Sequence, residues 1–151
     1  ELGIASAVMH MRGDPAHHYE VDQSYEDIAA EVEAFLLERA ADLDAAGAGQ
    51  VWLDPGFEFG KLLPDNLDLF SGLRSLVATG RPVLISASRK GFLAEMLGYT
   101  KRQDVTGLLE ASLAFNVLAA FEGVQVVRVH DVAPMAHALA VVNGLRAHLA
   151  G

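Results

Sequence analysis

Short apolar runs alternate along this chain with longer stretches of helical periodicity. Runs rich in Val, Leu and Ile predict buried strands at residues 4–9, 51–53, 83–85 and 124–129. After each run, apolar residues recur at three- and four-residue spacing, which predicts amphipathic helices. We expect these helices at about residues 28–43, 67–76, 92–97, 105–121 and 133–149. Ser24, followed three residues later by Asp27, resembles a capping box and is expected to open the first helix.

The order strand then helix, repeated along the chain, predicts an α/β fold in one domain spanning residues 1–151. Such repeats give parallel strands joined by right-handed crossovers. Two architectures remain open, an open sheet and one half of an eight-stranded barrel, which typically needs about 250 residues. No glycine-rich phosphate loop follows any strand, and this weakens the nucleotide-binding form of the open sheet.

The composition of the chain argues against several classes of partner and of chemistry. The chain has 20 acidic and 11 basic residues and a net charge of −9, which argues against a nucleic-acid partner. It has no cysteine, so disulfides and thiolate chemistry are excluded. No apolar run approaches the roughly 20 residues of a membrane span, and residues 1–20 lack the pattern of a signal peptide. We therefore expect a cytoplasmic protein without a membrane partner.

Polar residues follow three of the predicted strands directly. Asp54 ends the second strand, Ser88, Arg89 and Lys90 follow the third, and the last strand runs into Arg128. Parallel α/β proteins build their sites at the carboxyl ends of their strands, so these groups are expected to meet.

Each of these groups has a functional and a structural interpretation. The Asp54 carboxylate can accept paired hydrogen bonds from the N–H and amino edge of a heterocycle, or it can cap a turn. Lys90 and its neighbours can bind an anion or a carbonyl, or lie on the surface. Arg128 and His130 alternate on one strand, which places both on one face and suits a phosphate or pyrophosphate. Alternatively, Arg128 pairs with an acidic neighbour.

Four motifs together resemble the dihydropteroate synthase family, in matching order and across nearly the whole chain. They are MHMRG at 9–13, LDPGFEFGK at 53–61, SRK at 88–90 and RVHD at 128–131. The resemblance implies a (β/α)₈ barrel in which the strands of this chain are the fifth to eighth. It also implies a transferase of folate biosynthesis, which joins 6-hydroxymethyl-7,8-dihydropterin pyrophosphate to para-aminobenzoate and releases pyrophosphate.

The resemblance also implies roles for individual residues. Asp54 would hold the amino and ring N–H edge of the pterin, Lys90 would reach its carbonyl and ring nitrogen, and Met9 would pack nearby. Arg128 would stack on the pterin and, with His130, hold the pyrophosphate. The catalytic residues would therefore be Lys90, Arg128 and His130.

The implied aminobenzoate site contains two departures from the family pattern. Phe59, Lys90 and Gly91 would line it. The family usually has glycine where Glu58 stands, and a serine that contacts the aminobenzoate carboxylate where Gly91 stands. An inward Glu58 would repel that carboxylate and an outward one would be harmless. These departures keep open a non-catalytic pterin-binding homologue. A pterin-dependent methyltransferase domain is a further alternative, although a pyrophosphate-binding pair would be superfluous in it.

The family's remaining pterin contacts belong to a half of the barrel that this sequence lacks. A half-barrel exposes sheet edges and an apolar interior, which favours association, so we expect a homodimer. Mg²⁺ is expected with the pyrophosphate, its main ligand lying in the missing half and none in this chain. The chain alone is expected to be inactive.

Overall fold

The computed structural model describes residues 3–14, 16–17, 20–99 and 105–150. Strands and helices alternate through this part of the chain. The strands are β1 Ser6–Met9, β2 Val51–Asp54, β3 Leu84–Ile85 and β4 Val126–Val127. The helices are α1 Ile28–Ala45, α2 Leu63–Ser71, α3 Leu73–Ala78, α4 Gly91–Met96, α5 Leu109–Phe121 and α6 Val132–Ala150, with a 3₁₀ turn at Val105–Leu108 before α5.

All described strand pairs are parallel. β1 pairs with β2, with Met9 beside Asp54 in register, and β3 pairs with β4. The two sheets meet where Leu53 bridges to Val83, and the Leu53 N–H donates to the Pro82 carbonyl at 2.9 Å. The strands thus lie side by side in chain order. The predicted parallel α/β fold is confirmed.

The core lies between the strands and the helices. On α1, Ile28, Val32, Leu36 and Ala40 are buried at the spacing of one helix face. Deeper in, the rings of Phe57, Phe92 and Phe115 contact one another at centroid distances of 5.1 to 6.1 Å. Burying one such side chain stabilises the fold by about 1.5–3 kcal/mol, so this layer fixes the strands that carry the site.

The opposite face of the sheet is open. Ala7 and Met9 of β1 are exposed, and Trp52 of β2 is half-buried, whereas Leu53 is fully buried under the helices. Among the described residues, no strand pairs with the outer edge of β1 or β4. The sheet therefore has one covered and one uncovered face. No helix in the described ranges is long and apolar enough to cross a bilayer.

Three local predictions were wrong. α1 is capped by Asp27, whose side chain accepts from the Ala30 N–H, because the Ser24 hydroxyl and N–H both donate to Asp22 instead. The helix expected at 67–76 is two helices that meet at Gly72. The fourth strand ends at Val127, so the residues after it continue the ladder without being part of the strand.

Candidate active site at the carboxyl ends of the strands

Asp54 is buried at the end of β2, where the chain turns away from the sheet. Its Oδ1 accepts from the Gly56 N–H at 2.8 Å. Gly56 has φ +68°, and a Cβ there would lie 2.0 Å from the carbonyl oxygen of His10. Only glycine allows this turn to press against the end of β1. Asp54 and its register neighbour Met9 are thereby held side by side.

Electrostatics place two further strand ends beside Asp54. Burial raises the pKa of Asp54, while the Gly56 N–H and the charges of Lys90, Arg128 and Lys61 act in the opposite direction. Because the strands are parallel, their carboxyl ends lie at one edge of the sheet, and Lys90 and Arg128 follow β3 and β4 at that edge. The convergence of these three side chains on one ligand stays a prediction.

Lys90 lies between the carboxylates and an aromatic ring. Its Nζ is 4.0 Å from the centroid of the Phe59 ring, within the range of a cation–π contact, and 3.6 Å from Glu58 Oε2. Burial lowers the pKa of Lys90, and the carboxylates of Glu58 and Asp54 oppose this effect. Lys90 therefore contacts Phe59 and Glu58, and the charge of Asp54 also acts on it.

Glu58 points inward, which answers the question that the sequence left open. Its Oε1 accepts from the Gly91 N–H at 2.6 Å while Oε2 faces Lys90. The backbone at Glu58 has φ +75°, a conformation that favours glycine, so the carboxylate is held there against local strain. A side-chain carboxylate thus occupies the donors of Gly91 and Lys90.

Arg128 and His130 follow β4 and are exposed. The Arg128 N–H donates to the Ile85 carbonyl at 2.8 Å, which continues the ladder past the strand. His130 contacts Ser88 through its N–H at 3.1 Å and through Nδ1 at 3.0 Å. Both side chains are therefore accessible to solvent at the carboxyl ends of the strands.

Arg89 does not share the ligand-binding position of Lys90. Its guanidinium makes two hydrogen bonds to the Asp131 carboxylate, at 2.8 and 3.1 Å, and its N–H donates to Ser112 Oγ at 2.9 Å. This pair ties the segment after β3 to the segment after β4. It also occupies Asp131, the acidic neighbour closest in sequence to Arg128.

Lys61 is a residue of the site region to which the sequence gave no role. It is 7% exposed, and its Nζ donates to the carbonyls of Gly56 at 2.8 Å, Phe59 at 3.2 Å and His10 at 3.4 Å. Burial, partly opposed by Asp54, lowers its pKa to about 8. Lys61 fastens the turn after β2 to the end of β1. The signal was its place at the end of the glycine-rich LDPGFEFGK motif.

A cavity of about 730 Å³ opens beside Glu58 and Gly91. It lies between the turn after β2 and α4, with Phe92 and Tyr99 on its apolar side. Asp54, Lys90 and Arg128 do not line it. It therefore adjoins the Phe59 side of the site and is separate from the Asp54 side.

The described residues do not form a magnesium site. Among them there is no group of three His, Asp or Glu side chains that could hold a metal ion. The donors nearest the expected pyrophosphate, Arg128 and His130, offer N–H groups, whereas Mg²⁺ prefers oxygen ligands. Binding of Mg²⁺ therefore stays a prediction.

Comparison with known proteins assigns the family. The sequence model of the family described as "Pterin binding enzyme" matches residues 1–130, and the chain belongs to this family. It is 35% identical over 145 residues to the dihydropteroate synthase of Escherichia coli K12, covering 95% of this chain and 50% of that protein. It is 40% identical over 149 residues to the dihydropteroate synthase of Mycobacterium leprae, covering 95% and 52%.

The solved structures agree. The dihydropteroate synthase of Thermus thermophilus in complex with 4-aminobenzoate superposes with a TM-score of 0.86 at 42% identity, over 95% of this chain and 55% of that one. The enzyme of Xanthomonas albilineans in complex with 7,8-dihydropteroate gives 0.77 at 37% identity, over 93% and 50%. The chain thus spans about half the length of the relatives it matches.

Proposed function

We propose that this chain supplies the C-terminal half, strands five to eight, of the (β/α)₈ barrel of a dihydropteroate synthase. The parallel strands in chain order, the uncovered sheet face and the two outer edges without a described partner support this placement. The half-length match to relatives of that name supports it independently. The rest of the barrel would cover the exposed Ala7 and Met9 face and pair with both edges.

The proposed reaction condenses 6-hydroxymethyl-7,8-dihydropterin pyrophosphate with para-aminobenzoate in folate biosynthesis. The observation that carries it is that the charges of Lys90 and Arg128, which follow two neighbouring parallel strands, act on the buried carboxyl of Asp54. An acceptor, a mobile cation and a planar donor together match a pterin ring that bears a pyrophosphate. The solved relatives include one bound to 4-aminobenzoate, which supports the second substrate.

In the proposed mechanism, the bond between the pterin methylene carbon and the pyrophosphate oxygen breaks, and its electron pair leaves with the pyrophosphate. The N–H groups of Arg128 and His130 stabilise that growing negative charge. Asp54 and Lys90 hold the pterin in position, with Met9 packed beside it. The aminobenzoate nitrogen then forms the new bond to the methylene carbon and loses a proton.

The acceptor would approach from the Phe59 side. Phe59 and Lys90 lie in contact there, and Gly91 and the cavity adjoin them. Glu58 already holds the Gly91 N–H, so an incoming aminobenzoate carboxylate meets a like charge. This feature keeps the non-catalytic homologue as a second candidate.

The proposal also covers the oligomeric state, the localisation and the metal ion. We infer a cytoplasmic homodimer that uses Mg²⁺ with the pyrophosphate. An exposed apolar stripe, defined as large apolar residues exposed at helical spacing on the contacting helices α5 and α6, supports self-association. The stripe consists of Leu118, Phe121, Val141, Leu145 and Leu149.

The central test is condensation activity in the full-length protein that the gene encodes. Asp54→Asn and Arg128→Ala are each expected to lower kcat/KM about 100-fold, because each removes a charge aimed at the reacting ligand. Arg39→Ala, which removes exposed ion pairs and a contact with the Phe35 ring on α1, is the control and should leave the rate unchanged. The 151-residue chain alone is expected to bind pterin weakly and to show no turnover. Unimpaired turnover in both site variants would contradict the proposed site.

A further inference from the structure

The strongest unexplained contact near the site joins Ser88 and His130. Ser88 is 5% exposed and lies just after β3, whereas His130 is exposed just after β4. Ser88 Oγ lies 3.1 Å from the His130 backbone nitrogen and 3.0 Å from its Nδ1. One hydroxyl therefore meets two nitrogens of the same residue.

The protons of this contact can be assigned by elimination. The backbone N–H always donates, so it takes one lone pair of Ser88 Oγ. If Nδ1 also carried a proton, it would take the other lone pair, and the buried hydroxyl proton would need a separate acceptor. Within the described ranges, Ser88 has no other hydrogen-bond partner. The arrangement that satisfies every group has the Ser88 O–H donating to an unprotonated Nδ1.

The neighbouring polar groups do not compete for these protons. The Asp131 carboxylate, adjacent in sequence, is held by two hydrogen bonds from Arg89. The Ser112 hydroxyl accepts from the Arg89 N–H and donates to the Leu108 carbonyl at 2.6 Å. Each of these groups has its own partner, which leaves Ser88 dedicated to His130.

A neutral imidazole that accepts at Nδ1 carries its proton at Nε2. Nε2 lies across the ring from the Ser88 contact, His130 is exposed, and positions 128 and 130 alternate along an extended segment, which places His130 and Arg128 on one face. We propose that Ser88 is a positioning residue that fixes His130 as the Nε2–H tautomer, so that a neutral ring presents a donor to the leaving pyrophosphate. This inference rests on the proposed function.

The benefit of this arrangement is that the donor is in place before the anion arrives. A histidine without a partner at Nδ1 divides its population between two tautomers and rotates more freely. Only part of that population would present a donor to an anion, and binding would have to select it. Ser88 removes that selection step without touching the ligand.

The first test is spectroscopic and independent of activity. ¹⁵N NMR of the imidazole nitrogens of His130, in the full-length protein at a pH where the ring is neutral, is expected to show the proton on Nε2. Ser88→Ala should shift His130 toward a mixture of tautomers. A wild-type ring that carries its proton on Nδ1 overturns the inference, even if the Ser88 variant does not fold.

The second test measures binding of inorganic pyrophosphate by calorimetry, with Mg²⁺ in the buffer. Ser88→Ala is expected to weaken binding about tenfold in the wild-type background. His130→Gln places an amide N–H₂ near the position of Nε2 and needs no tautomer. In that background, Ser88→Ala should change affinity less than twofold. An equal loss in both backgrounds would mean that Ser88 acts only through general structure, and the inference would fall.

The outcomes separate the inference from the proposed function. If the wild type binds pyrophosphate and Ser88→Ala binds it equally well, the role of Ser88 is wrong and the proposed function stands. If the wild type binds no pyrophosphate, both fall, and a pterin-dependent methyltransferase becomes the better explanation.

Discussion

His10, the residue that follows β1, is enclosed by aromatic rings. It is 4% exposed and meets the Phe35 ring edge-on at 5.1 Å and the Tyr25 ring at 6.1 Å. Its Nδ1 has no hydrogen-bond partner among the described residues. Burial, together with the charges of Lys61 and Arg12, lowers its pKa to about 4. The ring is therefore neutral in the folded protein over a range where an unfolded chain is protonated.

This difference makes stability depend on pH. Below the ordinary histidine pKa of about 6.5, the unfolded state binds more protons than the folded state, so stability falls as pH falls toward 4. We expect the free energy of unfolding to lose about 2 kcal/mol through His10 between pH 7 and pH 4.5. Urea titrations of His10→Phe at both values should show a smaller loss. The exposed His137→Gln serves as control, and a loss in His10→Phe equal to wild type would contradict the assignment.

Glu58 gives a second prediction at this scale, because its carboxylate holds the Gly91 N–H and faces Lys90. Glu58→Gly removes the charge and relaxes the φ of +75°. We expect the KM for aminobenzoate to fall about tenfold in the full-length protein, a free-energy change of about 1.4 kcal/mol. Glu58→Gln, which keeps the shape without the charge, separates repulsion from strain.

The double variant Glu58→Gly with Gly91→Ser distinguishes the two candidate functions. In an active synthase it should change KM while kcat stays within about twofold, because the groups that act on the leaving pyrophosphate are untouched. In a non-catalytic homologue, condensation should appear only in the double variant. An unchanged KM in all three variants would place Glu58 off the path of the acceptor.

Backbone geometry explains which site residues could be placed from the sequence. Asp54, Lys90 and Arg128 were predictable because parallel strands end at the same edge of a sheet. The direction of Glu58 was not, since it depends on a hydrogen bond to a backbone 33 residues away and on a positive φ at a non-glycine residue. Lys61 was missed because lysine is rarely buried, and only the three carbonyls around it make that burial tolerable.

At the scale of elements, Gly72 controls how α1 packs against α2 and α3. It lies where the two short helices meet, and a Cβ there would lie 2.5 Å from the Cβ of Ala29 on α1. The apolar periodicity of residues 67–76 continues through Gly72, because helical spacing in a sequence does not reveal a change of direction between two helices. The close contact with α1 became visible only in three dimensions.

Substitution of this glycine is expected to destabilise the fold. Gly72→Ala should lower the free energy of unfolding by about 1–3 kcal/mol, because α1 must move away from α2. Gly144→Ala on α6, where nothing lies within 4 Å of the added Cβ, should instead raise it by about 0.5–1 kcal/mol. Urea unfolding of the two variants tests both signs. Equal changes in the two would show that the contact with Ala29 is not limiting.

At the scale of the whole molecule, two apolar surfaces are uncovered in the described part of the chain. One is the open sheet face, which the proposed barrel would enclose. The other is the stripe on α5 and α6, whose side chains are exposed to solvent. The sequence predicted the exposure of a half-barrel in general terms. It could not locate the stripe, because α6 is apolar over most of its circumference and its periodicity does not choose a buried face.

The stripe predicts the dimer interface. Leu145→Glu, at its centre, is expected to weaken self-association of the full-length protein at least tenfold, because it buries an unpaired charge in an apolar contact. Ala34→Glu, an exposed position on α1, is the matched control. Sedimentation velocity across a concentration series measures the change. If Leu145→Glu associates as the control does, the dimer forms elsewhere.

Because Lys61 is enclosed, the rate at which its amine is chemically labelled can report local opening of the structure. Part of its population is unprotonated at mildly alkaline pH, a state that acylating reagents attack readily, yet the three surrounding carbonyls shield it from them. The labelling rate of this lysine, measured by mass spectrometry, would therefore be limited by local opening of the segments that carry the three carbonyls. Its modification rate, compared with that of a surface amine, would report how often the turn after β2 separates from the end of β1.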